Sequence, residues 1–289
     1  MSNISRYGQN VRRTFGEAIS SLNDQRRKVA WRLTNRSPSE TVPVFIVGSQ
    51  RSGTTMLGEC LGRSPEIENF GETDRRAFLH FFLRNDETIR EVVRKNPYRV
   101  VIFKPLKDSH RVRQLLALHP RSKSVWAYRH FADRINSAVR KFGRHPLDVF
   151  STFKKGHGKS WQLEGLSEDD ERLINSLDLD ALSEGDGAAL MWYIRNSLFF
   201  NQKLEEVDRV LLLSYDDFVA RPDVSMTALT DFLGAHYYPF MVRSVHNRSL
   251  SKNPRPILDP YIENLCESLY DRLESVRKAR HRRSIELKL

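Results

Sequence analysis

The chain has 289 residues, 39% of them hydrophobic and including 16 Phe, which excludes global disorder and suits one α/β domain with decorations. Its two cysteines, Cys60 and Cys266, lie far apart without metal-type spacing, excluding a disulfide scaffold and a zinc module and suiting a reducing compartment. The formal charge of +11 sits at the ends: residues 1–40 carry eight Arg or Lys against three acids and residues 272–289 seven against two, so the nearly neutral stretch between is no generic polyanion binder.

In chain order, residues 8–32 have Val11, Phe15, Ile19, Leu22, Val29 and Leu33 near helical spacing, and predict a basic amphipathic helix. A linker follows to about residue 40. The apolar run 42–48 predicts a strand, and 53–63 a helix that ends at Ser64-Pro65. Residues 74–84 and 86–95 are read as helical with a Phe-rich face. Strands are expected over 99–103 and 122–128, each followed by a helix, at 108–118 and 131–143. Residues 144–184, with scattered glycines and an acidic cluster at 168–171, are read as an irregular insertion with one helix on the substrate side. A long helix at 186–206, a strand at 209–213, a helix at 223–233 and a last helix from Pro260 complete the pattern. Nearly continuous apolar strands alternating with helices predict a mostly parallel sheet covered on both faces, a three-layer P-loop-like α/β fold. The domain is expected over 41–271, flanked by basic segments at 1–40 and 272–289.

The most informative residues are Val44 to Thr55. A strand ends in Gly48, a polar loop follows, and Gly53 opens a helix, which points backbone N–H groups at an anion. The glycine spacing is that of a nucleotide-binding loop, but Thr54 stands where the phosphate-gripping Lys belongs, and the cation is Arg51 inside the loop. Lys104 and Arg129 follow the next two strong strands directly. In a parallel sheet all three cations fall at the carboxyl end, where ligands bind.

Three segments carry a resemblance. The loop Arg51-Ser52-Gly53-Thr54-Thr55 is similar to the 5′-phosphosulfate loop of sulfotransferases that use 3′-phosphoadenosine 5′-phosphosulfate (PAPS), in the Arg form of carbohydrate and tyrosylprotein members. Arg129 and Ser137, eight residues apart across a strand end and a helix, resemble the family's 3′-phosphate motif. Leu213 to Phe218 with Arg221-Pro222 and Phe232-Leu233-Gly234 resembles a later strand-to-helix segment. The resemblance covers about residues 42–270. It implies PAPS as donor, no metal, and sulfuryl transfer to a hydroxyl. Arg51, Ser52, Gly53, Thr54 and Thr55 would hold the phosphosulfate, and Arg129 and Ser137 the 3′ phosphate. Lys104 would neutralise the bridging oxygen, and Lys252 would sit in a C-terminal basic loop over the donor. Glu72, 19 residues past Gly53, stands where related members carry the catalytic carboxylate; His110, His130 and His157 are the alternative bases.

Sugar, lipid-linked glycan, tyrosine and small alcohol all remain open as acceptors. The basic ends suit an anionic or membrane-borne one and peripheral membrane contact, while no nucleic acid is expected because aromatics do not interleave the basic residues. With no apolar run near 18 residues and no signal-peptide core, the expectation is a cytoplasmic protein. A small-molecule kinase, or a non-catalytic anion or membrane-surface module, are the rival readings.

Overall fold

The structure, a computed structural model, describes residues 20–35, 40–245 and 254–286. Val11, Phe15, Ile19 and Lys252 lie outside them. A helix over 20–34 (α1) precedes strand β1 (Val42–Gly48), helix α2 (Thr54–Gly62) and strand β2 (Ile67–Phe70). A hairpin of β3 (Phe78–Leu79) and β4 (Phe82–Leu83) follows, then α3 (Asp86–Arg94) and β5 (Val100–Phe103). After a 3-10 turn over Leu106–Arg111 come α4 (Val112–Ala117), β6 (Lys123–Tyr128) and α5 (Phe131–Phe142). The second half adds α6 (His145–Lys154), α7 (Glu168–Ser176), α8 (Glu184–Asn201), β7 (Val210–Ser214), α9 (Tyr215–Ala220), α10 (Pro222–Leu233) and α11 (Pro260–Glu286).

Five strands pair in the order β2-β5-β1-β6-β7, all parallel. The expected three-layer fold is present. Alternation explains the unbroken apolar runs: Phe45, Val47, Val101, Phe103 and Trp126 enter one core, whereas Val44, Ile46, Val100, Ile102 and Val125 enter the other. The first core lies under α5, α8 and α11, the second under α2, α9 and α10. Pro43 is tolerated in this central strand because Val42 N–H already bonds Arg99 O on the β5 side and pairing with β6 begins only at Val44. Helix α8 is buried around nearly its whole circumference, so its sequence shows no apolar stripe.

Three expectations are corrected. Residues 74–84 form a hairpin, not a helix: Phe78 and Leu83 turn inward and Leu79 and Phe82 outward, around a two-residue turn at His80-Phe81. The region 144–184 holds two helices, α6 and α7, the second closed by a Ser167–Asp170 capping box. Helix α1 docks through Trp31 and its basic residues: Trp31 stacks on Tyr98, Lys28 donates to Ile67 O at 2.8 Å and Arg27 lies over Phe240, leaving Leu22, Val29 and Leu33 exposed. Several cations of the basic ends are thus engaged inside the fold, and Arg277 likewise pairs with Asp217 and Glu274. Among the described residues no helix is long and apolar enough to cross a membrane.

Gly48 holds φ 123°, and a Cβ there would run into the carbonyl oxygen of Ala127 on β6, a backbone atom that cannot give way. Gly71, at the end of β2, has open space where a Cβ would go. Gly48→Ala is therefore expected to cost about 2 kcal/mol or more, and Gly71→Ala to stay within about 0.5 kcal/mol, as read by urea denaturation midpoints.

Candidate active site

The loop after β1 turns on two residues with positive φ, Arg51 and Gly53, and leads into the N-terminus of α2. Gly53, the residue before α2, has φ 80°, and the ring of Tyr215 lies where its Cβ would be, so only glycine fits. Helix α2 has no acidic residue in its first turn, whereas α3, α7 and α8 all do, so its positive end faces the loop without an internal anion. Arg51 also has a positive φ, 70°, an unfavourable conformation for a non-glycine residue. Its Nε donates to Ser137 Oγ at 2.9 Å, across 86 positions of sequence. Ser52 is buried and its hydroxyl is shared with Ser49 at 2.9 Å; Thr54 is also buried, while Thr55 is exposed. Ser109 pins the root of the loop, accepting from Gly48 N–H at 3.2 Å and donating to Leu106 O at 2.9 Å.

Beside the loop, β5 delivers Lys104 and β2 delivers Glu72. Lys104 Nζ donates to Thr55 Oγ1 at 2.9 Å and pairs with Glu72 Oε2 at 2.9 Å, so one ammonium ties the start of α2 to the candidate base. On the other side β6 delivers Arg129 and β7 delivers Tyr215. The Arg129 guanidinium lies 4.6 Å from the centre of the Tyr215 ring and 3.5 Å from Asp133. Trp192 donates its indole N–H to Arg129 O at 3.0 Å from the core, which gives that residue a packing role. Asp216 Oδ2 accepts from His130 N–H at 2.8 Å, and burial raises its carboxyl above the ordinary range. The described site residues therefore follow the strand order across the sheet: Glu72, Lys104, the Arg51 loop, Arg129.

A cavity of about 390 Å³ opens beside Glu72. Phe81, Phe142, Trp161 and Met191 give it apolar walls, and Gln50, Lys107 and Arg134 join Glu72 among its polar members. The region 144–184 contributes His145, Pro146, Trp161 and Gln162. Arg134 is fully enclosed and donates to Gln50 O at 3.2 Å and to Ala188 O; burial pulls its guanidinium down to about 10, which leaves it charged at neutral pH.

Residues 43–96, from β1 through α3, match the sulfotransferase family model. No curated protein matches the chain. Among solved structures, it is similar to the sulfotransferase domain of the Synechococcus PCC 7002 olefin synthase, at 15% identity and a TM-score of 0.46 over 81% of this chain and 98% of that one. It is also similar to a sulfotransferase from Alicyclobacillus acidocaldarius, at 14% and 0.46 over 82% and 94%, and to mouse sulfotransferase SULT7A1 complexed with PAP, at 13% and 0.40 over 84% and 90%.

The matched segment holds the Arg51 loop and Glu72; Lys104, Arg129 and Ser137 reach the same site from beyond it. The histidines expected as alternative bases do not line the cavity. His110 bonds Lys107 O on the 3-10 turn, His157 is exposed in a loop, and His130 caps α5 by accepting from Ala132 N–H at 3.2 Å while stacking on Phe131. The histidine that does line it is His145, which no motif marks. Tyr215 was visible only as a motif member, because its contact with Gly53 joins residues 162 positions apart.

Burial holds the His130 imidazole below its ordinary value of about 6.5. The unfolded chain then binds the proton better than the folded one, so stability is retained above about pH 6.5 and falls as pH drops below it toward the depressed folded value. His130→Asn keeps a helix-capping acceptor and removes the titration. The fall in melting temperature between pH 7.5 and 5.5 is expected to be smaller in this variant; an equal fall would show that His130 does not contribute.

Proposed function

We propose that the protein transfers a sulfuryl group from PAPS to an acceptor hydroxyl. The observation that carries this reading is the 2.9 Å hydrogen bond from Arg51 to Ser137, which joins the residue read for the phosphosulfate to one read for the 3′ phosphate. The chemistry of the site fits such a donor: Arg51, Lys104 and Arg129 are cations from three separate strand ends, beside a helix start with no acid of its own. Bound there, PAPS supplies the sulfuryl group and the phosphate that leaves.

The residues divide the remaining work. The N–H groups of the Gly53–Thr55 helix start and the forked Arg51 guanidinium would hold the phosphosulfate end; Arg129 and Ser137 would hold the 3′ phosphate. Arg51 Nε already donates to Ser137 Oγ, so its side chain is placed before any ligand arrives. Lys104 has two partners in the protein, Thr55 and Glu72. As it turns toward negative charge at the loop, Glu72 is released to take the proton of the acceptor hydroxyl at its Oε2. Glu72 lines the cavity while Lys104 also reaches Thr55 at the loop, so the paired base and charge stabiliser stand where cavity and loop meet.

Calorimetry with 3′-phosphoadenosine 5′-phosphate tests the donor reading. Ser137→Ala and Arg129→Ala are each expected to weaken binding about 10-fold or more, with little effect on an analogue lacking the 3′ phosphate. Tight binding of ATP with magnesium and no response to the 3′-phosphorylated nucleotide would overturn it. Glu72→Gln is expected to lower turnover by about 10²-fold or more while leaving nucleotide affinity intact; unchanged turnover would remove Glu72 as the base.

A further inference from the structure

We propose that the cavity beside Glu72 takes an acceptor whose hydroxyl is carried on a flat, apolar body bearing an acidic group, with Phe81 and Trp161 as its walls and Lys107 as its anion contact. The inference rests on the sulfuryl-transfer reading above and names its acceptor class.

The hairpin turn is the first observation. His80 and Phe81 have φ 51° and 66°, consecutive left-handed residues in a two-residue turn that normally selects Asn-Gly or Asp-Gly. A bulky Phe with positive φ is an outlier that persists only where surrounding contacts hold it. Those contacts are present: Asp108 Oδ2 accepts from Leu83 N–H at 3.1 Å, and Lys107 Nζ donates to His80 O at 3.2 Å. The strained turn aims Phe81 into the cavity while leaving it half exposed. Simple packing does not require this, since the inward-facing pair Phe78 and Leu83 already anchors the hairpin.

The second observation is the charge. Lys107 Nζ lies 4.2 Å from the Phe82 ring centre, 5.6 Å from Phe81 and 5.8 Å from Trp161. Among the described residues it makes no ion pair, so a cation stands in an aromatic setting at the cavity without an acid. Arg134 adds a second cation held by backbone oxygens. Among the described residues Glu72 is the one carboxylate on the cavity wall, and it is paired with Lys104. An anionic group on the acceptor is the complement of this arrangement.

The third observation concerns what is missing for a sugar. Each hydroxyl of a sugar leaves a polar group unpaired unless the wall offers a partner. Here the Gln162 amide is engaged by Ser160 and by His145 at 3.3 Å, and Arg134 is held by Gln50 O and Ala188 O. Beside the Gln50 amide and Lys107, what the wall offers is apolar: Phe81, Leu106, Phe142, Pro146, Trp161 and Met191, too few polar partners for the several hydroxyls of a sugar. At about 390 Å³ the cavity matches a small molecule or one side chain rather than a polymer segment.

The test uses the full chain saturated with 3′-phosphoadenosine 5′-phosphate, and reads binding of 3-(4-hydroxyphenyl)propionate, its methyl ester, tyramine and methyl glucoside by saturation-transfer NMR and calorimetry. The acid is expected to bind best, the ester less, tyramine least of the aryl compounds, and the glucoside not at all. Lys107→Gln is expected to weaken the acid about 10-fold and leave the ester unchanged. Phe81→Asn, which suits a left-handed turn, is expected to raise the melting temperature by roughly 2 °C while weakening every aryl ligand. Preferred binding of the glucoside, absence of acid binding, or an equal effect of Lys107→Gln on acid and ester would overturn the proposal. If the wild-type chain does not bind the nucleotide at all, the donor reading fails instead; nucleotide binding with the wrong acceptor preference removes this inference alone.

Discussion

Parallel pairing is the constraint on which the rest of the molecule depends. Because all five strands run the same way, each one ends on the same edge of the sheet, and whatever residue follows it is delivered there. Neighbouring strands are about 4.8 Å apart, so the span from the end of β2 to the end of β6 is roughly 14 Å. Along that span stand Glu72, Lys104, the loop of Arg51 and Arg129, in the order in which the strands pair. The spacing of the groups is thus a property of the sheet, and both buried cores serve to hold that sheet flat against its helices.

The price of this arrangement is a concentration of positive charge. Arg51, Lys104, Arg129 and Arg134 share one edge of the protein; Lys104 is paired with Glu72 and Arg129 with Asp133. Enclosed guanidiniums are kept by backbone carbonyl oxygens: Arg134 bonds Gln50 and Ala188, and Arg195 bonds Gln162 and Leu106. Such oxygens satisfy the N–H groups without cancelling the charge, so the field remains available to an anionic ligand. Lys104 differs, since it is neutralised by Glu72. That pair couples the group that would stabilise leaving charge to the group that would take a proton.

Local sequence carried the fold where local physics decides it. The apolar runs of β1, β5, β6 and β7 and the Gly234 stop of α10 were legible because burial on both faces and a left-handed cap leave direct marks in composition. Strand β2 was not legible. It is an edge strand whose middle residues, Glu68 and Asn69, are polar, and only pairing with β5 makes it a strand. The β3–β4 hairpin was misread for a related reason. His80-Phe81 lacks the glycine or asparagine that announces such a turn, and the phenylalanines around it mimic a helical face.

The sequence by itself determined the loop from Gly48 to Thr55, the strand-end positions of Lys104 and Arg129, and the eight-residue step to Ser137, because a strand end and a helix start fix these over a few residues. Only the tertiary structure decided that Glu72 stands next to Lys104, that Ser137 meets Arg51, that Tyr215 fills the space over Gly53, and that His145 rather than His110, His130 or His157 lines the cavity. These are contacts between residues tens to hundreds of positions apart. They follow from which strand pairs with which, and strand order leaves no trace in local composition.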